Sequence, residues 1–465
     1  MTQAWFKLLL FFLYLSLPLA GIAQTLPHKL AGAFKTFSQD SQMQNGITSL
    51  YIINVKTGQV IFNENELIGL APASTQKVIT SVSAYEILGK AFSYQTQFAY
   101  QKGKETVTLQ ITPTGDPTLG SWRWPQTKPD AVMQGLAQAI EKADLKSINK
   151  IIISNSGWEG ENILDGWIWQ DIGNYYGAGA GKFNWHENQY DILLKSGKNI
   201  GDPVTIVKTV PALAGYKLES KLTSAAVGTG DKAYIYFPLN NPTGVIRGTI
   251  PVNENDFKIS GTLPVPALQF AQTLSENLIK AGIKSTSKVD FSTDTQTGPE
   301  KYTTFYTRQS PPLDSLIFWF NRKSINLYGE ALVKTIAYNK NGQATSAKGI
   351  ALIKAFWKQY GVPETELNMV DGSGLSPLNR VTTHAQVSIL QHAQKQPWFS
   401  GFYKALPEYN GMKMKSGTIR GAKGFCGYHR SKDGQEYVFS FLVNNYNGSA
   451  AAMVQKMYNV LNVLK

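Results

Sequence analysis

The two ends of this 465-residue chain carry strand and helix patterns that constrain the fold more than any other feature. Near the amino terminus, two apolar runs within residues 48–64 flank a Lys-Thr-Gly turn, which predicts a β-hairpin, and a helical pattern follows it. Near the carboxyl terminus, strands are predicted over 411–420, 424–430 and 436–445, before a closing helix over 449–464. We therefore expect an α+β fold in which one mixed sheet is built from both chain ends.

The middle of the chain, residues 96–295, does not belong to this pattern. It contains an amphipathic helix over 130–142, and residues 200–260 show short strands with frequent turns. A chain of 465 residues is too long for one ordinary core, so two or three domains are expected. We predict that 24–95 plus 296–465 form one domain, and that the middle is a large, mainly β insertion with a smaller nested β domain at about 200–260.

Other segments have weaker local signals. Residues 158–190 are rich in Trp, Tyr, Gly and Asn and are predicted to form a loop. Further helices are predicted over 266–282, 311–340, 345–360 and 382–395.

The first 23 residues have the pattern of a secretory signal peptide. Lys7 precedes an apolar run over 8–20 that is too short to span a bilayer comfortably, and Gly21 and Ala23 supply the small residues of a cleavage site. This pattern predicts a cut before Gln24 and an exported protein, and an uncleaved membrane anchor is the alternative.

The composition limits the kinds of partner and site. The formal charge is +13, and removal of Lys7 leaves +12, which suits an anionic cell-wall polymer or a membrane surface but also serves solubility. The 5 histidines show no metal-ligand spacing, so neither a metal nor another cofactor is expected. The single cysteine, Cys426, cannot form an intrachain disulfide and is expected to be a packing residue.

Three short motifs remain once chance occurrences are set aside. Ser-x-x-Lys, Ser-x-Asn and Lys-(Ser/Thr)-Gly each occur three times, so counting alone cannot identify a site. Most copies lie in predicted turns, loops or helix interiors. The remaining copies are Ser74/Lys77 at the start of a helix, Ser324/Asn326, and Lys415-Ser416-Gly417-Thr418 on a strand. Serine enzymes that use a lysine base contain these three elements in this order.

The sequence around these motifs resembles the low-molecular-mass class C penicillin-binding proteins, which are D-alanyl-D-alanine carboxypeptidases that also act as DD-endopeptidases. The resembling stretches are PASTQK at 72–77, GDPTL at 115–119, GWIWQDIGNYYGA at 166–178, DGSGLSPLNRVT at 371–382 and KSGTIRGAKGFCGY at 415–428. The separation of 250 residues between Ser74 and Ser324 (324 − 74) fits the family's long insertion.

The resemblance implies a fold, a location and partners. The catalytic domain is expected to be β-lactamase/transpeptidase-like, with the insertion forming one or two extra domains. The protein is expected in the periplasm, with peptidoglycan peptides as substrates and β-lactams as covalent inhibitors. No nucleic-acid partner is expected.

The resemblance also implies how a nucleophile is activated. Ser74 would attack the substrate, and Lys77, which shares a helix face with it, would remove its proton. Lys77 must be neutral to act as a base, although the reference pKa of a lysine is about 10.4. Burial and the nearby cation Lys415 are both expected to lower its pKa.

The remaining motif residues have expected roles in substrate binding and proton transfer. Ser324 would relay the proton toward the leaving amine, and Asn326 would hold the substrate amide. By resemblance, the backbone N–H groups of Ser74 and Thr418 form the oxyanion hole, and Gly417 lets the strand approach the ligand. The expected site for the terminal carboxylate consists of Lys415, Ser416 and Thr418.

The family also recognises the side-chain amine of the stem peptide. The matching positions here are Asp171, Tyr176 and Arg380, of which Asp171 would pair with an ammonium and Arg380 with a carboxylate. Ordinary surface or structural charges are the alternative for these two residues. The sequence departs from the family at Ser416, where Thr is more frequent, and at 154–156, where Ser-Asn-Ser replaces a frequent Asp.

Two other functions compete with this hypothesis. A β-lactamase of the same superfamily is one, because ETELN at 364–368 matches the deacylating-glutamate pattern of class A enzymes. That match is expected to be a decoy, since the separation between Ser74 and Ser324 is too long for those compact enzymes. A non-catalytic wall-binding protein that has kept the fold is the other, and the intact motifs argue against it.

Overall fold

The computed structural model describes residues 25–160, 162–238, 241–293 and 302–465. The predicted signal peptide, residues 1–23, lies outside the described residues. Among the helices that are described, none has both the length and the apolar character that a membrane crossing requires.

Strands occur along the whole described chain. They are β1 (Ile47–Asn54), β2 (Val60–Glu64), β3 (Gln95–Lys102), β4 (Val107–Pro113), β5 (Ser147–Ile148), β6 (Lys150–Ser154), β7 (Gln189–Lys195), β8 (Thr205–Val210), β9 (Lys217–Ala225), β10 (Lys232–Tyr236), β11 (Thr243–Pro251), β12 (Phe257–Thr262), β13 (Lys284–Ser285), β14 (Val289–Ser292), β15 (Thr303–Gln309), β16 (Leu367–Asn368), β17 (Arg380–Val381), β18 (Glu408–Tyr409), β19 (Met412–Ile419), β20 (Ala422–Arg430) and β21 (Glu436–Asn444).

The α-helices are concentrated toward the two ends. They are α1 (Leu26–Ser38), α2 (Lys77–Leu88), α3 (Pro129–Lys142), α4 (Trp169–Ile172), α5 (Pro266–Lys280), α6 (Leu313–Lys323), α7 (Asn326–Asn341), α8 (Ser346–Gln359), α9 (Thr383–Gln394), α10 (Phe399–Ala405) and α11 (Ala450–Leu461).

A six-stranded antiparallel sheet joins the two ends of the chain. Its order is β18-β19-β20-β21-β1-β2, so the amino-terminal hairpin pairs directly with the last strand. The α+β fold with a sheet built from both chain ends is therefore confirmed.

Both faces of this sheet are covered, which explains why its central strand β21 is almost continuously apolar. Phe439, Phe441 and Val443 pack on one face with α1 and α11, and Val438 and Leu442 pack on the other with the central helices. Helix α1 was not predicted, although its buried Leu30, Phe34 and Phe37 recur at helical spacing.

The middle of the chain forms separate sheets with their own buried side chains. A five-stranded sheet of order β14-β6-β4-β3-β15 packs against α3 and α5, and two three-stranded sheets, β12-β7-β8 and β10-β11-β9, share a further core. Strand β15 lies beyond the predicted boundary at 296, yet it pairs with β3 in the five-stranded sheet.

One sequence-based element prediction differs from the structure, and another agrees with it. The helix predicted over 311–340 is two helices, α6 and α7, because Ser324 between them adopts a left-handed backbone with φ of 57°. The segment 158–190, predicted as a loop, contains only short helical turns such as α4 before β7 begins at Gln189.

Candidate active site

Ser74 lies in a short 3₁₀ turn, Ala73–Gln76, that runs directly into α2. Residues three apart eclipse one another in a 3₁₀ turn, so the side chain of Lys77 comes directly over Ser74. The Nζ atom of Lys77 is 2.9 Å from the Ser74 Oγ atom. Ala73 has a φ of 46°, an unusual value for a residue with a Cβ atom, immediately before this serine.

The surroundings of Lys77 orient its amine toward Ser74. Its Nζ atom is 2.6 Å from Oδ1 of Asn326 and 2.7 Å from the carbonyl oxygen of Ser373. Both are acceptors, and the amide orientation of Asn326 is fixed because its Nδ2 donates to the carbonyl oxygen of Tyr176 at 2.7 Å. A neutral amine has two N–H bonds, which these acceptors take, so its lone pair is left for the Ser74 hydroxyl.

Lys77 is held close to the neutral form. Its side chain is fully buried, and this burial lowers its pKa well below the usual value for a lysine. The positive charge of Lys415 lowers this pKa further, whereas the carboxylates of Asp371 and Glu330 act in the opposite direction. Desolvation is the largest of these effects, so Lys77 is suited to accept a proton from Ser74.

A second lysine, Lys415, contacts the motif serine Ser324. The Nζ atom of Lys415, on β19, is 3.1 Å from Oγ of Ser324 and 2.8 Å from the carbonyl oxygen of Ser416. Ser324 reaches it because the chain turns sharply at this residue between α6 and α7. Burial lowers the pKa of Lys415 to about 7.

Strand β19 passes very close to the turn that carries Ser74, and a glycine makes this possible. A Cβ atom added to Gly417 would lie 2.5 Å from the carbonyl oxygen of Pro72 and 2.9 Å from the backbone nitrogen of Ser74. No larger residue fits without moving the strand. Thr418, the next residue, therefore lies beside Ser74, and its Oγ1 accepts a hydrogen bond from Lys423 at 2.6 Å.

The buried carboxylate of Asp371 organises the loop beneath the site. This residue was not among the site residues predicted from the sequence. Its carboxylate is fully buried and accepts a hydrogen bond from Nε2 of Gln76 at 3.1 Å. Its other donors are the backbone N–H groups of Gly374 and Ser376, Nδ2 of Asn379 and Nε1 of Trp167. This loop includes the Ser373 carbonyl that accepts from Lys77. The only sequence signal was that Asp371 begins the DGSGLSPLNRVT stretch.

The motif residues line two adjoining cavities. Ser74, Ser324, Asn326 and Thr418 border a cleft of about 670 Å³, and Ser74, Ser324, Lys415, Ser416 and Thr418 border a neighbouring cavity of about 310 Å³. The structure thus brings all three motifs together, although Ser74 and Lys415 are far apart in sequence.

Residues from the middle of the chain complete the larger cleft. Asp171 and Tyr176 line it together with Tyr234 of β10. The hydroxyl of Tyr176 donates to Oδ1 of Asp171 across 3.4 Å, and burial raises the pKa of Asp171. Asp171 and Tyr176 thus lie in the same cleft as Ser74.

Other residues considered in the sequence lie elsewhere. Arg380 is exposed, does not line the cleft, and donates to the backbone carbonyls of Pro377 and Asn379. Glu364 forms a surface ion pair with Lys358 at 3.3 Å and borders neither of the two cavities around Ser74. Cys426 is buried in β20 and packs against the turn that follows Ser74. The described residues contain no group of three or more side chains placed to hold a metal ion.

Comparisons with known proteins agree with this geometry. The sequence model of the D-Ala-D-Ala carboxypeptidase 3 (S13) family matches residues 30–408. A D-alanyl-D-alanine carboxypeptidase from an Actinomadura species is 22% identical over 90% of this chain and 81% of its own length. The D-alanyl-D-alanine carboxypeptidase DacB of Haemophilus influenzae is 23% identical over 85% of this chain and 84% of its own length.

Solved structures share the fold. The crystal structure of penicillin binding protein 4 (dacB) from Haemophilus influenzae superposes with a TM-score of 0.78 at 22% identity, covering 92% of this chain and 98% of the other. The same protein in complex with a β-lactam superposes with a TM-score of 0.73 at 20% identity, covering 93% and 98% of the two chains. The expected β-lactamase/transpeptidase-like fold is confirmed.

Proposed function

Because the chain belongs to the D-Ala-D-Ala carboxypeptidase 3 (S13) family, we propose that it is a serine D-alanyl-D-alanine carboxypeptidase whose nucleophile is Ser74. The observation that carries this assignment is the set of contacts made by Lys77. Two acceptors take its N–H bonds, and Ser74 Oγ lies 2.9 Å from its Nζ atom. A neutral lysine in this position is a general base for a serine hydroxyl.

Acylation follows from this arrangement. As Ser74 Oγ attacks the carbonyl carbon of the penultimate D-alanine, its proton passes to Lys77. The negative charge that develops on the substrate oxygen would be stabilised by the backbone N–H groups of Ser74 and Thr418, and the close approach of Gly417 to the backbone nitrogen of Ser74 supports this assignment. The C–N bond then breaks, and the leaving amine of the terminal D-alanine receives a proton through Ser324.

Water completes the reaction. It attacks the acyl-enzyme ester on Ser74 and gives one proton to Lys77, which passes this proton to the Ser74 oxygen as the ester bond breaks. The shortened peptide is released and the serine hydroxyl is restored. Lys415 holds the terminal carboxylate of the substrate, with Ser416 and Thr418 as hydrogen-bond donors, and Asn326 holds the substrate amide. Each of these side chains borders one of the two cavities around Ser74.

The substrate side chain is assigned to the part of the cleft formed by Asp171 and Tyr176. Asp171 would pair with the side-chain ammonium of the stem peptide, since a half-buried carboxylate gains most from a cationic partner. Arg380 remains a candidate for binding a carboxylate only if its guanidinium leaves the two backbone carbonyls that it now contacts.

A second activity, an inhibitor class and a cellular location are also proposed. Cleavage of peptide cross-links by a DD-endopeptidase activity uses the same bond chemistry at Ser74, and a β-lactam would acylate the same hydroxyl. The complex of Haemophilus influenzae penicillin binding protein 4 with a β-lactam supports this inhibitor class. The signal-peptide pattern supports export to the periplasm, where peptidoglycan lies.

Release of D-alanine from an N-acylated peptide ending in D-Ala-D-Ala tests the proposal. Ser74→Ala is expected to lower kcat by about 10⁴-fold or more, because the nucleophile is lost. Ser147→Ala is the matched control, since Ser147 belongs to another Ser-x-x-Lys copy and lies on the surface, hydrogen-bonded to Asn149. It should retain full activity.

Intact mass after benzylpenicillin treatment separates the competing functions. A stable adduct on Ser74 together with D-alanine release supports the carboxypeptidase. An adduct that turns over within seconds would support a β-lactamase. The absence of both the adduct and D-alanine release in the wild type would support a non-catalytic binding protein.

A further inference from the structure

A separate cavity of about 310 Å³ lies in the middle region of the chain and shares no residue with the Ser74 cleft. It is bordered by Asn155, which follows β6, and by Phe291 near the end of β14. Strands β4, β6 and β14 run parallel, so the cavity lies beyond their carboxyl ends. Ligands in sheets of this kind frequently bind at that edge.

Lys182 brings a buried positive charge to this cavity. The residue is 4% exposed, and its Nζ atom contacts the carbonyl oxygen of Ser156 at 2.7 Å and Oγ of Ser154 at 3.5 Å. It forms no ion pair with any carboxylate of the described chain. Burial lowers its pKa to about 8, so at neutral pH the amine is largely a cation without a counter-ion. Such a charge gains strongly from an anion.

Two further features around the cavity favour negative charge. Helix α5 begins here, at Pro266, without a side-chain cap and without an acidic residue in its first turn. Pro266 has no N–H, and the N–H of Leu268 donates to the carbonyl oxygen of Val265, so the N–H of Ala267 and the helix dipole are what favour an anion. The ring of Trp158 forms part of the wall, and its buried Nε1 has no acceptor within the described chain.

Asn155, Asn162 and two glycines also border the cavity, and the remaining wall residues are apolar and limit the ligand. These apolar residues are Phe183, Pro264, Val265, Pro266, Ala267 and Phe291. A single lysine does not balance a polyanion, and a cavity of this volume is at the small end of ligand sites. We propose that the cavity binds a small monocarboxylate with a short aliphatic tail, its carboxylate directed to Lys182 and the amino terminus of α5.

Ligand-observed NMR titration with butyrate tests the proposal, and butyramide is the uncharged control of the same shape. Because Lys415 offers a second site for carboxylates, the titration is made on the full chain carrying Lys415→Met. Butyrate is expected to bind, and butyramide to bind at least tenfold more weakly, since charge-assisted hydrogen bonds are lost. Failure of butyrate to bind, or equal binding of the two probes, would overturn the proposal.

A second substitution locates the binding. Adding Lys182→Met is expected to weaken butyrate binding at least tenfold, whereas adding Lys104→Met, on an exposed lysine, leaves it unchanged. Equal binding with and without Lys182 would overturn the assignment.

If the Lys182→Met protein does not fold, acetylation of the wild-type lysines followed by peptide mapping gives the same answer. Butyrate should slow the acetylation of Lys182 but not of Lys104, and no protection of Lys182 overturns the proposal.

Discussion

Lys77 and Lys415 are both buried, yet the proposed chemistry requires Lys77 to be neutral and Lys415 to be a cation. Lys77 contacts two acceptors and a hydroxyl, and it must be neutral to take a proton. Lys415 contacts a hydroxyl and a carbonyl, and it must be a cation to bind the substrate carboxylate. The positive charge of Lys415 lowers the pKa of Lys77, so the cation that binds substrate also helps to keep the base neutral.

This division of roles predicts an alkaline limb in the pH dependence of kcat/KM. The pKa of Lys415 is lowered to about 7, so the cation is present below this pH and is lost as the pH rises through it. Carboxylate binding by the free enzyme, and with it kcat/KM, should therefore fall above about pH 7 by up to about tenfold per unit. Lys415→Arg should remove this limb, because a guanidinium stays charged, even if the maximum rate is lower.

The control for this experiment lies on the same strand. Lys413 faces Glu408 at 3.6 Å instead of the cleft, so Lys413→Arg should keep the wild-type limb. A profile of Lys415→Arg that still falls at the wild-type pH would show that another group titrates there.

At the level of single residues, the sequence was informative where a side chain has its own motif. Ser74, Lys77 and Lys415 were all identified and the structure brings them together. Asp371 was not identified, because its role depends on donors such as Gln76, 295 residues away. The carbonyl of Ser373 was missed for a similar reason, since a backbone acceptor has no residue type that marks it.

The elements of the site meet at two places where the backbone is tightly constrained. Between α6 and α7, Ser324 occupies a left-handed conformation, which directs its hydroxyl to Lys415. Between β19 and the 3₁₀ turn, Gly417 removes the Cβ atom that would otherwise separate the strand from Ser74. Both arrangements place backbone or hydroxyl groups at the walls of the two cavities that Ser74 borders.

Gly417→Ala tests the second contact. The added Cβ atom would meet the carbonyl oxygen of Pro72 at 2.5 Å, so β19 must move away from the turn. The two N–H groups proposed for the oxyanion hole would separate, and kcat should fall by about 10²- to 10³-fold. Steady-state hydrolysis of the D-Ala-D-Ala peptide measures this loss, and circular dichroism checks that the fold is retained.

Gly32→Ala provides the comparison, since a Cβ atom added there meets no atom within 4 Å. It should leave kcat unchanged. If Gly417→Ala retained wild-type kcat with a native fold, the close approach of β19 would have no part in catalysis.

The sequence predicted most elements of the catalytic region but not the break at Ser324. Apolar residues continue at helical spacing on both sides of it, so periodicity alone favours one helix over 311–340. The left-handed turn is instead stabilised by a tertiary contact with Lys415, 91 residues further along the chain. Local pattern cannot reveal such a contact.

Across the whole molecule, the middle region contributes directly to the catalytic groups. The carbonyl oxygen of Tyr176 fixes the amide of Asn326, which in turn accepts from Lys77. Glu187 makes a second connection, because its Oε1 accepts from the hydroxyl of Tyr328, on α7, at 2.7 Å. The middle region therefore shapes the site beyond the substrate binding that is proposed for Asp171 and Tyr176.

The sequence indicated an insertion but gave no indication of how it packs. The contacts that join it to α7 link residues 150 and 141 positions apart. Tyr176 and Asn326 lie in stretches that the sequence marks, but their contact uses a backbone carbonyl, and the contact of Glu187 with Tyr328 involves no motif. The domain limits stay a prediction. Since β15 pairs with β3, we propose that the second boundary lies near residue 310 and not at 296.

Glu187→Gln is expected to weaken this connection. The carboxylate is 4% exposed and also pairs with Arg123 at 2.8 Å, so removing its charge leaves a guanidinium that is only 14% exposed without a charged partner. Loss of one partner from a buried ion pair costs about 3–5 kcal/mol, and the free energy of unfolding should fall by a similar amount. Urea unfolding followed by tryptophan fluorescence measures the change.

Activity shows whether the connection also positions the base. Tyr328→Phe removes only the hydroxyl that reaches from α7 to Glu187 and keeps the Arg123 ion pair, so it should cost less stability, about 1.5–3 kcal/mol. If Glu187 holds α7 in place, both variants should lower kcat in conditions where they remain folded, because Asn326 begins that helix. Glu105→Gln, on the surface, should change neither quantity. Wild-type kcat in both folded variants would limit the connection to a structural role, leaving Asn326 and the Tyr176 carbonyl as the link between the two regions.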